Sequence, residues 1–245
     1  MTRPVVFGCI VGTLVLACGS PVKPPQDPML RLVASYPLGI TEPSGLAIND
    51  SGTILWTVTN NPEKVHQLDL AGNVVRTLSY SGHDLEGIAY DSSDSTLWVA
   101  EEDRREIVHL DLTGAVLSRH RLSLTGQTNS GLEGICFDDQ GRMFVLNEKL
   151  PGMFISLNAD FSIAAADTLA FARDYSDISY NRRSNCFWII SDLSEGLYLY
   201  DKTNGVLGRY ALPFSKGEGV AFDAAANLVY VVSDSEHRLY VYAGP

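Results

Sequence analysis

A six-residue cassette occurs five times along the chain, and this repeat constrains the fold more than any other feature. Each copy begins with Glu or Ser, usually followed by Gly, and continues with an aliphatic residue, a small residue, an aromatic or aliphatic residue, and Asp or Asn. The copies are Ser44–Asn49, Glu86–Asp91, Glu133–Asp138, Ser176–Asn181 and Glu218–Asp223. Their first residues lie 42, 47, 43 and 42 positions apart. Such a period, carried by short strands, is typical of the blades of a β-propeller.

Each repeat contains four predicted strands. In the second repeat they cover 88–91, 97–100, 107–112 and 115–122, and the turns between them are rich in Asp, Ser, Thr and Gly. Runs of β-forming residues bounded by such turns are the usual signal for strands. Because no segment has a convincing helical period, the sequence predicts an all-β domain over residues 29–245.

The two ends of this domain complement each other. The fifth repeat supplies only three strands, at 219–223, 228–233 and 238–243, while an unassigned strand at 29–38 precedes the first cassette. If the N-terminal strand completes the last blade, the ring closes and no long strand edge is exposed. The sequence therefore predicts a five-bladed β-propeller closed by its N-terminal strand.

The first 28 residues have a different composition. Arg3 precedes an apolar run over 5–17, and Val15–Cys18 resembles a bacterial lipobox, which predicts a lipoprotein signal peptide at 1–18 and a lipid on Cys18. A single spanning helix is the alternative, but the run is shorter than the roughly 20 residues that a span needs. Residues 19–28 form a Pro-rich linker. We therefore expect a lipid-anchored, extracytoplasmic protein of the cell envelope, on the periplasmic side of the outer membrane or on the cell membrane.

The charge excludes one class of partner. The chain has 18 Lys and Arg against 29 Asp and Glu, a formal net charge of −11. Nucleic-acid binding depends on basic residues that neutralise phosphates, so we expect no nucleic-acid partner. Cys136 and Cys186 lie on different repeats without metal-type spacing, and are expected to be buried small residues rather than a disulfide.

Acidic and amide residues are predicted to converge on one end of the propeller channel. In a propeller, the start of the first strand of a blade and the end of its second strand lie on the same face. The cassette starts form an inner ring of Ser44, Glu86, Glu133, Ser176 and Glu218. The second-strand ends form an outer ring of Asn60, Glu102, Glu148, Asp192 and Asp234. The two rings are expected about one strand spacing, roughly 4.8 Å, apart.

So many carboxylates require neutralisation. Two of them about 6 Å apart repel by roughly 2–3 kcal/mol at an effective dielectric constant near 20. Oxygen ligands without His or Cys favour a hard cation, and a flexible carboxylate cage suits Ca²⁺ better than Mg²⁺. The sequence thus predicts a Ca²⁺ site whose ligands are Glu86, Glu133, Glu218, Asp177 and the carbonyl of Asn60.

The alternative is a structural ring without an ion, in which basic residues of the protein pair with the acids. The candidates for this pairing are Lys64, Arg104, Arg105, Lys149, Lys216 and Arg238. For the outer acidic ring of Glu102, Glu148, Asp192 and Asp234, such pairing is the favoured interpretation.

Several segments resemble the SdiA-regulated family of β-propeller proteins. They are Thr41–Leu46, Thr57–Pro62, Leu85–Tyr90, Glu101–Arg105, Leu132–Ile135 and Gly217–Phe222, and the resemblance extends over about residues 30–243. It implies an envelope location, a link to calcium response and a divalent-cation site, but no established reaction. The fourth cassette departs from the pattern because Asp177 follows Ser176 where Gly is expected.

Catalytic motifs give little support for an enzyme. The sequence contains no Gly-x-Ser-x-Gly elbow, HExxH motif or phosphate-binding Gly loop, and His83, shortly before Glu86, is a weak candidate for a general base. Three functions remain: a non-catalytic propeller that binds Ca²⁺ and an unknown small ligand or protein, a Ca²⁺-dependent hydrolase of phosphoesters or lactones, and a scaffold without an ion. In the hydrolase, Glu86 or Glu133 would act as the base on a water molecule.

Overall fold

The computed structural model describes residues 1, 27–124 and 131–245, which form twenty β-strands and no helix. The strands are arranged in five four-stranded antiparallel sheets, one for each predicted blade. The predicted signal peptide, Cys18 and the linker up to residue 26 lie outside the described residues, apart from Met1. Within the described ranges, no helix has the length and apolar character needed to cross a membrane.

Each blade takes its strands in chain order, except the last. Blade 1 contains β2 (Pro43–Ile48), β3 (Leu55–Asn60), β4 (Glu63–Leu68) and β5 (Val74–Thr77). Blade 2 contains β6 (Leu85–Asp91), β7 (Thr96–Glu101), β8 (Glu106–Leu110) and β9 (Val116–Arg121). Blade 3 contains β10 (Leu132–Phe137), β11 (Met143–Asn147), β12 (Met153–Leu157) and β13 (Ile163–Thr168). Blade 4 contains β14 (Asp177–Asn181), β15 (Cys186–Ser191), β16 (Gly196–Asp201) and β17 (Gly205–Ala211).

Blade 5 joins the two ends of the chain. It consists of β18 (Gly217–Asp223), β19 (Leu228–Ser233) and β20 (Arg238–Ala243), with β1 (Leu32–Pro37) as its outer strand. The N-terminal strand β1 pairs antiparallel with β20, with Leu32 opposite Tyr242 and Pro37 opposite Arg238. This pairing confirms the predicted five-bladed propeller and its closure by the N-terminal strand.

Burial decreases from the inner strands to the outer strands. All residues of β7 and β15 are buried, whereas all residues of β5 and β13 are exposed. Trp56, Trp98 and Trp188, one on the second strand of each of three blades, belong to the hydrophobic clusters between blades. Both described cysteines are buried free thiols. Packing between neighbouring blades therefore supplies the core of the fold.

The second cassette position of each blade forms a tight ring around the central axis, which we call the central ring: Gly45, Gly87, Gly134, Asp177 and Gly219. A Cβ atom on Gly45 would lie 2.9 Å from the Cα of Gly87, and one on Gly134 would lie 2.6 Å from the Cα of Asp177. Four members lack a side chain because neighbouring backbones approach this closely. The ring separates two cavities that share no lining residue.

Asp177 supplies the one side chain of the central ring. Its carboxylate accepts hydrogen bonds from the backbone N–H of Leu46 at 3.0 Å and of Val220 at 2.9 Å. These bonds connect blade 4 with blade 5 and with blade 1, which is not its neighbour in the ring. Asp177 therefore acts as a buried pin between three blades.

Candidate functional site

One cavity of about 380 Å³ brings together all ten positions of the predicted inner and outer rings. We call it the acidic cavity. Its lining consists of Glu42, Pro43, Ser44, Asn60, Glu86, Glu102, Glu133, Glu148, Lys149, Asp174, Ser176, Asp192, Lys216, Glu218 and Asp234. Nine of these residues are carboxylic acids and two are lysines. Each blade contributes to the cavity because equivalent strand ends meet at the same end of the ring.

Glu86 is held in place by two neighbours on blade 1. Its carboxylate accepts a hydrogen bond from the Ser44 hydroxyl at 2.9 Å and one from the Asn60 amide nitrogen at 2.7 Å. The Asn60 oxygen faces the Ser44 hydroxyl at 3.4 Å. Asn60 thus orients Glu86 with its amide nitrogen and points its carbonyl oxygen toward Ser44.

Two lysines pair with part of the outer ring. Lys149 forms an ion pair with Glu148, and the ammonium of Lys216 lies 2.8 Å from the Asp234 carboxylate. Asp192 instead accepts the backbone N–H of Lys216 at 2.8 Å. The predicted structural pairing therefore accounts for two members of the outer ring.

The arginines after Glu102 point elsewhere. Arg104 lies 3.5 Å from the carboxylate of Glu101, which also pairs with Arg119 at 3.1 Å. Arg105 donates to the backbone carbonyl of Leu124. Glu102 itself is only 6 % exposed, and its carboxylate accepts the backbone N–H of Gly131 at 2.7 Å. In the part of the chain that the structure describes, no basic side chain forms an ion pair with Glu102.

The buried carboxyls of the cavity hold their protons more tightly than free glutamate. Burial, followed by repulsion from nearby carboxylates, raises the pKa of Glu133 well above its usual value. Burial also raises the pKa of Glu86 to about 7, and of Glu102 and Glu218 to about 8. Repulsion from Asp84 adds to the shift at Glu102, and repulsion from Asp192 adds to the shift at Glu218. A positive charge placed among these groups would favour their ionised forms.

Two groups of carboxylates have oxygens within 4.8 Å of one another: Asp84, Glu86 and Glu102 form one, and Glu102, Glu133 and Glu148 form the other. Ca²⁺–oxygen distances are about 2.3–2.6 Å, so oxygens on opposite sides of one ion lie about twice that distance apart. The oxygens of each group are therefore close enough together for one divalent cation to contact all three, which by itself does not show a metal site. Glu102, which belongs to both, is the residue at which they meet.

The structure brings four of the five residues predicted as ligands together and places the fifth elsewhere. Glu86, Glu133, Glu218 and Asn60 line the acidic cavity, whereas Asp177 lies in the central ring and does not line it. Sequence analysis placed Glu102 in an outer, structurally paired ring and did not consider Asp84. The signal for Asp84 was available, since it lies two residues before Glu86, directly before the first residue of β6. His83 is exposed and is not among the residues that line the cavity.

Comparison with known proteins identifies the family. A family model described as SdiA-regulated matches residues 31–242. The chain belongs to the SdiA-regulated family. This confirms the assignment expected from the sequence motifs. No curated protein matches this SdiA-regulated chain significantly.

Solved structures similar to this SdiA-regulated protein share its fold. Virginiamycin B lyase from Staphylococcus aureus has 15 % identity and a TM-score of 0.50, over 86 % of this chain and 74 % of the lyase. A streptogramin B lyase has 17 % identity and a TM-score of 0.50, over 86 % of this chain and 72 % of that one. The β-propeller domain of Cps50 (Swd1) from Myceliophteria thermophila has 10 % identity and a TM-score of 0.54, over 88 % and 100 %. At these identities the similarity supports the propeller fold alone.

Proposed function

We propose that this SdiA-regulated protein is a membrane-anchored, extracytoplasmic β-propeller that binds Ca²⁺ in the acidic cavity and has a non-catalytic role in binding a ligand or partner. The anchor would be the lipid on Cys18, as the lipobox-like sequence suggests. The carboxylates that line the acidic cavity are the basis for proposing that the protein binds a cation. The non-catalytic role follows from the lack of a recognisable catalytic motif in the sequence.

One observation carries the cation proposal. Glu102 and Glu133 are 6 % and 8 % exposed, their oxygens lie within 4.8 Å of each other and of Glu148, and neither pairs with a basic side chain among the described residues. Ionising two such groups in the cation-free protein is costly because each is desolvated and repels the other. A divalent cation offsets both costs, and the oxygen-only ligand set selects Ca²⁺ or Mg²⁺ over softer metals.

The choice of Ca²⁺ over Mg²⁺ follows from the number and origin of the carboxylates. Glu86 and Glu102 come from blade 2, Glu133 and Glu148 come from blade 3, and further acids line the same cavity. Ca²⁺ accepts six to eight oxygens in irregular geometry, whereas Mg²⁺ requires near-octahedral ligands and retains water. Glu86, Glu102, Glu133 and Glu148 would be the protein ligands, and Glu218 would add negative charge from blade 5.

A thermal-shift titration tests this proposal. Chelator-treated protein is titrated with Ca²⁺, Mg²⁺ or Na⁺ at constant ionic strength, alongside the Glu102→Gln variant. We expect a saturable rise in unfolding temperature with Ca²⁺, a smaller one with Mg²⁺, and a loss of most of the Ca²⁺ effect in the variant. Equal shifts with all three salts would reduce the effect to charge screening and contradict the proposal.

A second candidate function rests on Glu86. Its pKa of about 7 matches that of a general base operating near neutral pH, which is the feature a Ca²⁺-dependent hydrolase would use to activate water. Among the described residues that line the cavity there are two lysines, both near outer-ring acids, so lactones are better substrates for it than phosphoesters. Incubating the Ca²⁺-loaded protein with panels of lactones and phosphoesters tests this candidate. Turnover that disappears in Glu86→Gln would support it.

A further inference from the structure

A second cavity opens on the opposite side of the central ring. It has a volume of about 760 Å³ and is lined by the fifth cassette position of every blade: Ile48, Tyr90, Phe137, Tyr180 and Phe222. We call it the aromatic cavity. Cavities of roughly 300–1,000 Å³ with mainly apolar walls and a few polar groups are typical of small-molecule sites. Small side chains, including Ala47 and Ala89, also line the aromatic cavity and leave space for a ligand.

Three of the aromatic walls are supported from behind. Each packs against an aromatic residue on the second strand of a blade, with ring centres 5.4–6.4 Å apart: Phe137 on Trp98, Tyr180 on Phe187 and Phe222 on Trp188. Tyr90 packs against the hydrophobic cluster that contains Trp56. Because these contacts hold the rings in place, a ligand would meet preformed walls and would lose little affinity to their ordering.

The rim of the aromatic cavity carries an excess of negative charge. Five aspartates and two arginines line it: Asp50, Asp91, Asp138, Asp139, Asp223, Arg182 and Arg183. Asp138 pairs with Arg142, which lies outside the lining, and Asp50 pairs with Arg182 at 2.8 Å. Arg183 donates to the carbonyl oxygen of Ala224 at 3.1 Å. The arginines thus lie on blade 4 and reach toward blades 5 and 1.

The part of the rim that belongs to blades 2 and 3 carries Asp91 and Asp139. Asp91, on blade 2, accepts hydrogen bonds from the backbone N–H and the hydroxyl of Ser93. Asp139, on blade 3, is exposed and accepts a hydrogen bond from the side-chain amide of Gln140 at 3.4 Å. Asp139 and Tyr180 line the same cavity. Burial, followed by the carboxylates of Asp139 and Asp138, raises the pKa of the Tyr180 hydroxyl.

We propose that the aromatic cavity binds a small organic cation of the quaternary ammonium class, between Tyr90, Phe137 and Tyr180 and next to the carboxylate of Asp139. Aromatic rings attract such cations through their quadrupoles, and nearby carboxylates add to the attraction. A quaternary ammonium is less strongly hydrated than a primary ammonium, so it loses less hydration when it enters the cavity. The proposal goes beyond Ca²⁺ binding and is independent of it, because the two cavities share no lining residue.

A matched pair of probes tests the charge requirement. Choline and 3,3-dimethylbutan-1-ol have nearly the same shape, but only choline is charged. Their binding to the whole protein is measured by saturation-transfer NMR, once with chelator and once with Ca²⁺. We expect choline to bind at least about fivefold more tightly than the alcohol, which corresponds to about 1 kcal/mol. The same ratio is expected with and without Ca²⁺, so failure of the Ca²⁺ proposal would leave this result unaffected.

Variants locate the site. Asp139→Asn and Phe137→Leu are each expected to weaken choline binding at least about threefold while hardly changing the binding of the alcohol. Asp103→Asn, an exposed acid of the β7–β8 turn, serves as the control and is expected to bind like the wild type. Equal affinity for the two probes, no binding of choline, or unchanged binding in Asp139→Asn would each overturn the proposal. Unfolding temperatures of the variants establish that they are folded, and the wild-type probe comparison stands without them.

Discussion

Replacing Glu102 with glutamine is expected to remove a pH-dependent instability from the cation-free protein. Burial, together with Asp84 and Glu86, raises the pKa of Glu102 from 4.5 to about 8. Glutamine keeps a side-chain oxygen that can accept the backbone N–H of Gly131, which lies 2.7 Å from the Glu102 carboxylate. The substitution therefore removes the ionisation and preserves the hydrogen bond.

The direction of the effect follows from proton linkage. The folded pKa of Glu102 is higher than the unfolded one, so between the two values the folded state binds more protons. The stability from this group is complete below the unfolded pKa, and it is lost as the pH rises through the folded pKa of about 8. Each pKa unit corresponds to about 1.4 kcal/mol, which gives an upper limit of about 5 kcal/mol. Part of this is repulsion that Glu102 shares with Asp84 and Glu86, and it is reduced when one member of the group is protonated, so we expect a net difference of about 1–2 kcal/mol.

Urea unfolding in the presence of chelator, at pH 5.5 and pH 8.5, measures this difference. The wild type is expected to lose free energy of unfolding between the two pH values, and Glu102→Gln is expected to lose about 1–2 kcal/mol less. Asp103→Asn removes an exposed neighbouring carboxylate and should behave like the wild type. If Glu102→Gln has the same pH dependence as the wild type at an unchanged m-value, the electrostatic reasoning about the cavity is refuted.

Three further predictions concern the fold. Gly87→Ala places a Cβ atom 2.3 Å from the backbone oxygen of Glu133, so we expect a loss of about 2 kcal/mol or more in urea unfolding, whereas Gly39→Ala, whose Cβ meets nothing within 4 Å, should be nearly neutral. Asp177→Ala leaves two buried N–H groups without their acceptor and should cost about 2–4 kcal/mol, with Asp177→Asn costing less; equal stability of the two variants would contradict the pin. Deleting residues 1–37 removes β1 and exposes the edge of β20, and size-exclusion chromatography should then reveal oligomers or aggregates rather than a monomer.

The fold could be predicted because the number of sequence repeats gives the number of blades. Five cassettes at nearly constant spacing specify five blades, and the three-stranded fifth repeat together with the strand before the first cassette indicates the closure that the pairing of β1 with β20 shows. Strand alternation and turn residues are local signals, and they place each strand within a few residues. For the same reason the ten positions of the acidic cavity could be assigned to one end of the channel.

The roles of individual acids could not be predicted in the same way. Asp177 occupies a glycine position, and its carboxylate finds backbone N–H groups from two other blades, which depends on the close approach of strands distant in sequence. Glu102, as a member of the outer ring, was expected to pair with a basic residue, but Arg104, which with Arg105 is the nearest candidate in sequence, pairs with the buried carboxylate of Glu101. The aromatic cavity could not be predicted from the sequence, because the residues at the fifth cassette position have the composition of ordinary core residues. Only the structure shows that they line a cavity on the other side of the central ring.

Calorimetric titration of chelator-treated protein with Ca²⁺ tests the central claim most directly. The sample covers residues 27–245, which contain all five blades, and it is compared with a Glu86→Gln, Glu133→Gln double variant at pH 7.5. We predict saturable micromolar binding to the wild type, accompanied by proton release because the raised pKa values of these carboxyls leave them partly protonated, and loss of both in the variant. Absence of binding to the wild type, or unchanged binding in the double variant, would contradict the assignment of the acidic cavity as a calcium site.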